Sequence, residues 1–154
     1  MPRTPHPPAV TDRDVPLLLA VYGTLRRGCR NHHVLAGAVP VADGEVEGVL
    51  HEVAGPVRLP YPYPLLVLPA PGRVVVEVYR VRQEQVLRGL DVLESYDPDD
   101  PAGSEYVRVR VPLLGAAAGP PEVQVYAYAG GEGVLGRSLP GDWTAHLGAV
   151  GPTV

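Results

Sequence analysis

The chain has 154 residues, enough for one domain with a sizeable core, and its net charge of −4 comes without any run of basic residues. This charge balance argues against a nucleic-acid surface, which needs clustered Lys or Arg, and favours a small or neutral ligand. The single Cys29 excludes an internal disulfide, and no apolar stretch of about 20 residues could span a membrane. The sequence therefore predicts a cytoplasmic protein that does not bind membranes.

The first segment, residues 1–14, contains four prolines and neither a helical nor a strand period, which predicts a flexible tail. Residues 15–154 are predicted to form a single domain. The apolar run 17–22, closed by Gly23, predicts a strand buried on both faces and central in its sheet. Further strands are predicted at residues 44–51, 65–68, 73–79, 106–112 and 123–128.

One helix is predicted at residues 82–94, between two pairs of strands. Segregated strands with few helices indicate an α+β fold built on a curved sheet or a small barrel. The prolines of the segment Tyr61-Pro62-Tyr63-Pro64 remove two donors from any strand ladder, so this segment is predicted to be an edge or a loop.

Glu94 stands on the apolar face of the predicted helix. At about 100° per residue it falls between Leu87 and Leu90, whereas Asp91 falls at the rim. Burial and the negative end of the helix dipole both raise the pKa of a carboxyl group in this position, which suits it to accept and return protons near neutral pH. The alternative is that the last helical turn frays and Glu94 turns into water.

The segment Tyr22-Gly23-Thr24-Leu25 follows the first predicted strand directly and continues into Arg26-Arg27-Gly28. A glycine here lets a ligand approach the backbone and exposes successive N–H groups, so the loop can hold an anion. Its spacing matches neither a Walker loop nor a dinucleotide-binding loop. An ordinary turn leading out of a strand is the alternative interpretation.

Together the two segments resemble the gamma-glutamylcyclotransferase-like family, also called AIG2-like, which includes the gamma-glutamylamine cyclotransferases. The family's early Tyr-Gly-Ser/Thr-Leu loop and its downstream Arg-x-Gly correspond to residues 22–28. Its Leu-Asp-x-x-Glu segment corresponds to residues 90–94, and its Tyr-x-Arg strand entry to residues 106–108. The resemblance extends from about Val21 to Tyr128.

This resemblance implies a small mixed β-barrel with a few short helices, and a cavity between the loop and Glu94, the acid/base of the family. It also implies a small γ-glutamyl substrate, which closes on itself to give 5-oxoproline and a free amine without a metal or cofactor. The implied substrate-binding residues are Tyr22, Gly23, Thr24 and Leu25, and further site residues are Tyr63, Tyr96 and Arg108.

Several alternatives stay open at the level of the sequence. Arg108 either reaches the substrate carboxylate or is an exposed charge that shares a polar strand face with Arg110. Cys29, His32 and His33 lie close together, but three neighbouring ligands are too few for a metal without a distant partner, and a lone thiol nucleophile has little support. A non-catalytic binding module or a plain structural domain would keep the same fold. The leaving amine and the oligomeric state are undetermined.

Overall fold

The computed structural model describes residues 17–54, 63–81, 84–97, 99–130 and 134–150. The predicted tail and the first two residues of the Tyr61–Pro64 segment lie outside these ranges. Within them the chain forms eight strands and two α-helices: β1 (Leu17–Val21), β2 (Val39–Glu47), β3 (Val49–Val53), β4 (Leu65–Val67), β5 (Arg73–Val81), α1 (Glu84–Leu93), β6 (Tyr106–Pro112), β7 (Glu122–Tyr128), β8 (Leu135–Leu139) and α2 (Trp143–Val150).

The main sheet has five strands in the order β2-β5-β1-β7-β6. Strand β1 is central, as predicted, because its apolar side chains are buried on both faces. It runs antiparallel to β5, with Val21 opposite Glu77, and parallel to β7, with Leu19 opposite Gln124. The loop that follows β1 therefore leaves from the middle of the sheet.

A second sheet contains three strands in the order β4-β3-β8. The prediction of one strand over residues 44–51 is wrong, because β2 ends at Glu47 and β3 begins at Val49 in the other sheet. Gly48 separates them, and its N–H donates to the carbonyl of Gly72. The α+β class is confirmed. In the described part of the chain both sheets are open, so the barrel expected as one alternative is not closed.

Helix α1 ends in a well-formed cap. Ser95 has a φ of 52°, its N–H donates to the Val92 carbonyl, and the N–H of Tyr96 donates to the Asp91 carbonyl at 2.8 Å. These two bonds form a Schellman cap, in which Glu94 is the residue that joins helix and cap. The last turn is thus closed and not frayed, and Glu94 has a defined place at the end of the helix.

Strand β8 and helix α2 were not predicted from the sequence. Helix α2 begins after Asp142, whose carboxylate accepts the N–H of Ala145 at 3.2 Å and so caps the first turn. Its first residue, Trp143, is buried in the core. Among the residues described, neither helix is both long and apolar enough to cross a membrane.

Candidate functional site

A cleft opens where the loop after β1 meets the end of helix α1. About 430 Å³ of space is free of protein atoms there, including the part that is open to solvent. Its walls come from the end of β1 with its loop, the Tyr63–Pro64 segment, the end of α1, and strands β6 and β7. The lining residues are Ala20, Val21, Tyr22, Gly23, Thr24, Leu25, Tyr63, Pro64, Leu93, Glu94, Tyr106 and Tyr126.

Six of the eight residues expected in the site line this one cleft: Glu94, the four loop residues 22–25, and Tyr63. They come from three separate parts of the chain, which meet at this cleft. The other two, Tyr96 and Arg108, lie outside the cleft lining.

The loop after β1 is built from two consecutive turns. The N–H of Arg26 donates to the Gly23 carbonyl at 3.0 Å, and the N–H of Cys29 donates to the Arg26 carbonyl at 2.9 Å. The second turn needs a positive φ at its third residue, and Gly28 supplies it with a φ of 80°. This requirement gives a physical reason for the glycine of the Arg-x-Gly segment.

Asn31 closes the loop by two bonds to Thr24. Its N–H donates to the Thr24 carbonyl at 2.8 Å, and its side-chain Nδ2 donates to Thr24 Oγ1 at 3.0 Å. The hydroxyl of Thr24 therefore accepts from Asn31 and keeps its own proton for another partner. The N–H groups of Gly23, Thr24 and Leu25 donate to no acceptor in the described part of the protein.

The far side of the loop is tied to the main sheet by charged groups. The buried carboxylate of Glu77, on β5, accepts Arg26 Nε and the backbone N–H of Arg27, both at 2.9 Å. Arg26 Nη1 also donates to Asp142 Oδ1 at 2.8 Å, which joins the loop to the cap of α2. Burial opposes the charge on Arg26, but its bonds to Glu77 and Asp142 outweigh that effect and raise its pKa. The loop is held from behind, away from the cleft.

Glu94 alone carries a charged side chain among the described residues that line the cleft. It is half-buried, so it meets both the cleft and solvent. The prediction that Asp91 lies at the rim of the helix is wrong, because Asp91 is the more deeply buried of the two carboxylates. Its burial depends on a cation from strand β6, which a helical wheel does not include.

That cation is Arg108, and the interpretation of its side chain as an exposed strand charge is wrong. The Arg108 side chain is 0% exposed, and its Nη1 lies 2.6 Å from Asp91 Oδ1, away from the cleft. Arg110, two residues further along β6, is half-exposed and faces Glu122 at 3.9 Å. The expected polar face of β6 is therefore divided into a buried arginine and a solvated one.

Four tyrosines line the cleft, and the hydroxyls of three of them, Tyr22, Tyr106 and Tyr126, each donate a hydrogen bond within the protein. Tyr22 donates to the Tyr126 carbonyl at 2.6 Å, Tyr106 to the Pro64 carbonyl at 2.8 Å, and Tyr126 to Asp91 Oδ1. Burial raises the pKa of all three well above the usual value. The charge of Glu94 raises the pKa of Tyr22 and Tyr106 further. All three hydroxyls therefore stay neutral near pH 7.

The sequence did not point to Tyr106 and Tyr126 as cleft residues. Tyr106 was noted only as part of the Tyr-x-Arg segment, and Tyr126 only as part of a strand. The one available signal was compositional: the chain has eight Tyr and no Phe, and buried tyrosines need partners for their hydroxyls.

Cys29, His32 and His33 contribute nothing to the cleft lining. Burial raises the pKa of the Cys29 thiol, which disfavours a reactive thiolate. His32 Nδ1 lies 2.8 Å from the Leu25 carbonyl, and its ring packs near Tyr79, which is a structural role. In the described ranges no three His, Cys, Asp or Glu side chains are grouped so that they could hold a metal ion.

The fold and the cleft define a member of a known enzyme family. The family model for "Gamma-glutamyl cyclotransferase, AIG2-like" proteins matches residues 19–145, and the chain belongs to this family. The resemblance drawn from residues 22–28 and 90–94 is thereby confirmed. A human gamma-glutamylaminecyclotransferase is 42% identical over 104 residues, and the match spans 63% of this chain and 63% of the human protein.

Solved structures agree with this assignment. An AIG2-like protein from Mus musculus is 29% identical, with a TM-score of 0.52, over 73% of this chain and 77% of the mouse chain. An uncharacterized protein from Pyrococcus horikoshii shares the fold, with a TM-score of 0.59 at 22% identity, over 87% of this chain and 96% of the archaeal one.

Proposed function

We propose that this protein is a cyclotransferase that releases 5-oxoproline and a free amine from a γ-glutamyl amide, with Glu94 as the general acid and base. The observation that carries the proposal is that Glu94 and the Tyr22–Leu25 loop line the same cleft. The human relative's name makes γ-glutamylamines the first substrates to test. The match spans 63% of the length of the human protein, so we assign its activity to this chain only as part of the proposal.

The proposed reaction is intramolecular. The α-amine of the substrate attacks its own γ-carbonyl carbon, a C–N bond closes the five-membered ring, and the original amide C–N bond breaks. Because the attacking group is tethered, the reaction gains a large effective molarity, and the protein needs to supply no nucleophile. It must move protons, since the ring nitrogen loses protons and the departing nitrogen gains them.

Glu94 can carry these protons. As a carboxylate it takes a proton from the α-ammonium group, and as a carboxylic acid it gives that proton to the departing nitrogen. The carboxylate then takes the second proton from the ring nitrogen and passes it to the released amine, so Glu94 ends in its starting state. The hydroxyls of Tyr22, Tyr106 and Tyr126 are poor alternatives, because each already donates within the protein and burial raises each pKa.

The loop is proposed to bind the substrate through its backbone. The N–H groups of Gly23, Thr24 and Leu25 are the donors for the substrate carboxylate or for the oxyanion that develops on the γ-carbonyl. A preorganised donor of this kind is worth about 3 kcal/mol in the transition state. The bonds from Glu77 and Asn31 support this role, because they hold the loop in shape before any ligand arrives. Tyr63 is proposed to contact the substrate from the opposite wall.

The first test replaces Glu94 with Gln, which keeps the size and removes the acid/base function. We expect kcat to fall by about 10²–10⁴-fold with little change in melting temperature. Turnover is measured as 5-oxoproline released from a panel of γ-glutamyl compounds. Glu105→Gln is the matched control, because Glu105 also acts electrostatically on Tyr22 and Tyr106 but lies outside the cleft lining. Its kcat should stay within threefold.

Near-normal turnover of Glu94→Gln would remove Glu94 from the mechanism. The same panel separates the other classes of function. A ligand-induced rise in melting temperature without any 5-oxoproline would indicate a binding module. No shift and no turnover across the panel would count against the proposed substrate class.

A further inference from the structure

We infer that the buried ion pair between Asp91 and Arg108 is a positioning device, which sets the place of the Glu94 carboxylate relative to the Tyr22–Leu25 loop. The inference rests on the proposed function of Glu94. It assigns to Arg108 a role in the reaction that involves no contact with substrate.

The first observation is the burial of the pair. The Arg108 side chain is 0% exposed and the Asp91 side chain 8% exposed, and neither residue lines the cleft. Two charges so deeply buried must satisfy each other, because an unpaired charge in this environment is strongly unfavourable. The pair is therefore committed to the interior of the protein and not to a ligand.

The second observation is that the arginine has little freedom to move. Its guanidinium carbon lies over the rings of Tyr96 and Tyr126, 5.5 and 5.8 Å from their centroids. Its Nε donates to Gln124 Oε1 at 3.2 Å, and the hydroxyl of Tyr126 donates to the same Asp91 oxygen that binds Arg108. These directional contacts fix helix α1 against strands β6 and β7.

The third observation is that Asp91 is connected to both sides of the cleft. It precedes Glu94 by three residues, about one helical turn, and its carbonyl accepts the Tyr96 N–H that closes the cap after Glu94. On the other side, the hydroxyl of Tyr126 donates to the Asp91 carboxylate. The backbone carbonyl of Tyr126 accepts a hydrogen bond from the hydroxyl of Tyr22. A short chain of hydrogen bonds thus joins the first loop residue to the helix that carries Glu94.

An apolar contact alone would not give this precision, because apolar contact is non-directional and a helix can slide on it. Proton transfer needs the donor and acceptor within hydrogen-bond reach, and a misplacement of about 1 Å can lower the rate about 10²-fold. The ion pair opposes the sliding of α1 that apolar contacts alone would allow.

The test compares two variants of the pair with a control on the same strand. Asp91→Asn removes the charge and keeps the shape, and Arg108→Lys keeps the charge and removes the planar group. Val109→Ala is the control, because Val109 is equally buried on β6 but makes no polar contact with α1. For each protein kcat, KM, the pH profile of kcat and the melting temperature are measured on the γ-glutamyl substrate, at a temperature where all are folded.

We expect Asp91→Asn and Arg108→Lys to lose at least tenfold in kcat with KM within threefold, and the pH of half-maximal kcat to shift, since the surroundings of Glu94 change. Val109→Ala should lower the melting temperature and keep kcat within threefold. In the Glu94→Gln background, Asp91→Asn should add less than a threefold loss, because nothing is left to position.

A kcat within threefold of the parent in a folded Asp91→Asn or Arg108→Lys protein would overturn the inference. The inference would also be overturned if Val109→Ala lost as much kcat as the ion-pair variants at the same loss of melting temperature. If Asp91→Asn does not fold, Arg108→Lys decides the matter alone. Full activity of Glu94→Gln would instead remove Glu94 from the proposed mechanism, and the positioning role would fall with it.

Discussion

At Gly23 the backbone of the loop is packed directly against Pro64. A Cβ on this residue would lie 2.8 Å from Pro64 Cγ and 2.9 Å from its Cδ, both closer than real Cβ contacts. The sequence suggested a glycine that lets a ligand approach. The structure adds that the opposite side of the residue is filled by the second wall of the cleft.

Gly23→Ala should therefore damage the site. Overpacking of this kind costs about 1–3 kcal/mol, and relief by movement of Pro64 would shift Tyr63 as well. We expect a lower melting temperature and at least a tenfold loss of kcat/KM in the 5-oxoproline assay.

Gly89→Ala is the matched control for this substitution. Gly89 lies exposed on helix α1, and nothing stands within 4 Å of its added Cβ. Alanine is a better helix former by about 1 kcal/mol, so this variant should be more stable with unchanged kinetics. A Gly23→Ala protein with normal kcat/KM would show that the loop tolerates displacement.

The resemblance predicted that Glu94 and the loop flank one cavity, and both line the cleft, whereas their catalytic and binding roles stay predictions. Residue-level inference from the sequence failed for Asp91 and Arg108, because the burial of each depends on the other, 17 residues away. The alternation along β6 predicted the same exposed environment for Arg108 and Arg110. The two differ because helix α1 packs over Arg108 and not over Arg110.

Helix α1 ends with a left-handed residue that is not glycine. Ser95 has a φ of 52°, a region that costs an L-residue about 1–2 kcal/mol and glycine nothing. Its side chain is exposed, so little is lost by removing it.

Ser95→Gly should therefore raise the free energy of unfolding by about 1 kcal/mol, while kcat stays unchanged because the cap keeps its shape. Urea unfolding monitored by circular dichroism measures the change. Ser95→Ala is the control, since alanine keeps the Cβ and should leave the stability within about 0.5 kcal/mol. A destabilised Ser95→Gly protein would mean that the serine side chain itself supports the helix end.

The elements predicted correctly are those whose pattern is local and strong. The central strand is a continuous apolar run, the strands near residues 73–79, 106–112 and 123–128 carry repeated Val, and all four are present. Helix α2 was missed because its apolar residues do not follow a single face, and β8 because most of its short sequence is polar or glycine. The division of residues 44–51 between two sheets depends on pairing with distant strands, which no local pattern reports.

Three buried tyrosines in the cleft wall make the stability of the whole molecule depend on pH. Tyr22, Tyr106 and Tyr126 come from different parts of the chain, and the pKa of each is raised well above 10.0, chiefly by burial. In the unfolded chain each would ionise near pH 10. Their contribution to stability is therefore complete below about pH 10 and is lost as the pH rises above it.

We expect at least three of the eight tyrosines to stay protonated in the folded protein and to ionise only when it unfolds at high pH. Phenolate absorbance and far-ultraviolet circular dichroism, recorded together during an alkaline titration, measure this. The last part of the phenolate signal should rise together with the loss of secondary structure. Full ionisation of all eight before unfolding would contradict the assignment.

The arrangement of the molecule as a whole is what the sequence could not supply. Arg26 and Asp142 are 116 residues apart, yet their bond ties the loop to the first turn of α2. Without a prediction of α2, no local pattern could have linked the end of the chain to the site. The family resemblance supplied the general fold, whereas these pairs depend on the packing of this particular chain.

Trp143 follows Asp142 directly and is the only tryptophan in the chain. Its indole is buried, and its Nε1–H meets no acceptor in the described part of the protein. The emission of such an indole responds to small changes in the field around it. Because Asp142 is bonded to Arg26, a ligand that moves the loop would change that field, and we expect the fluorescence of Trp143 to follow such a movement without an added label.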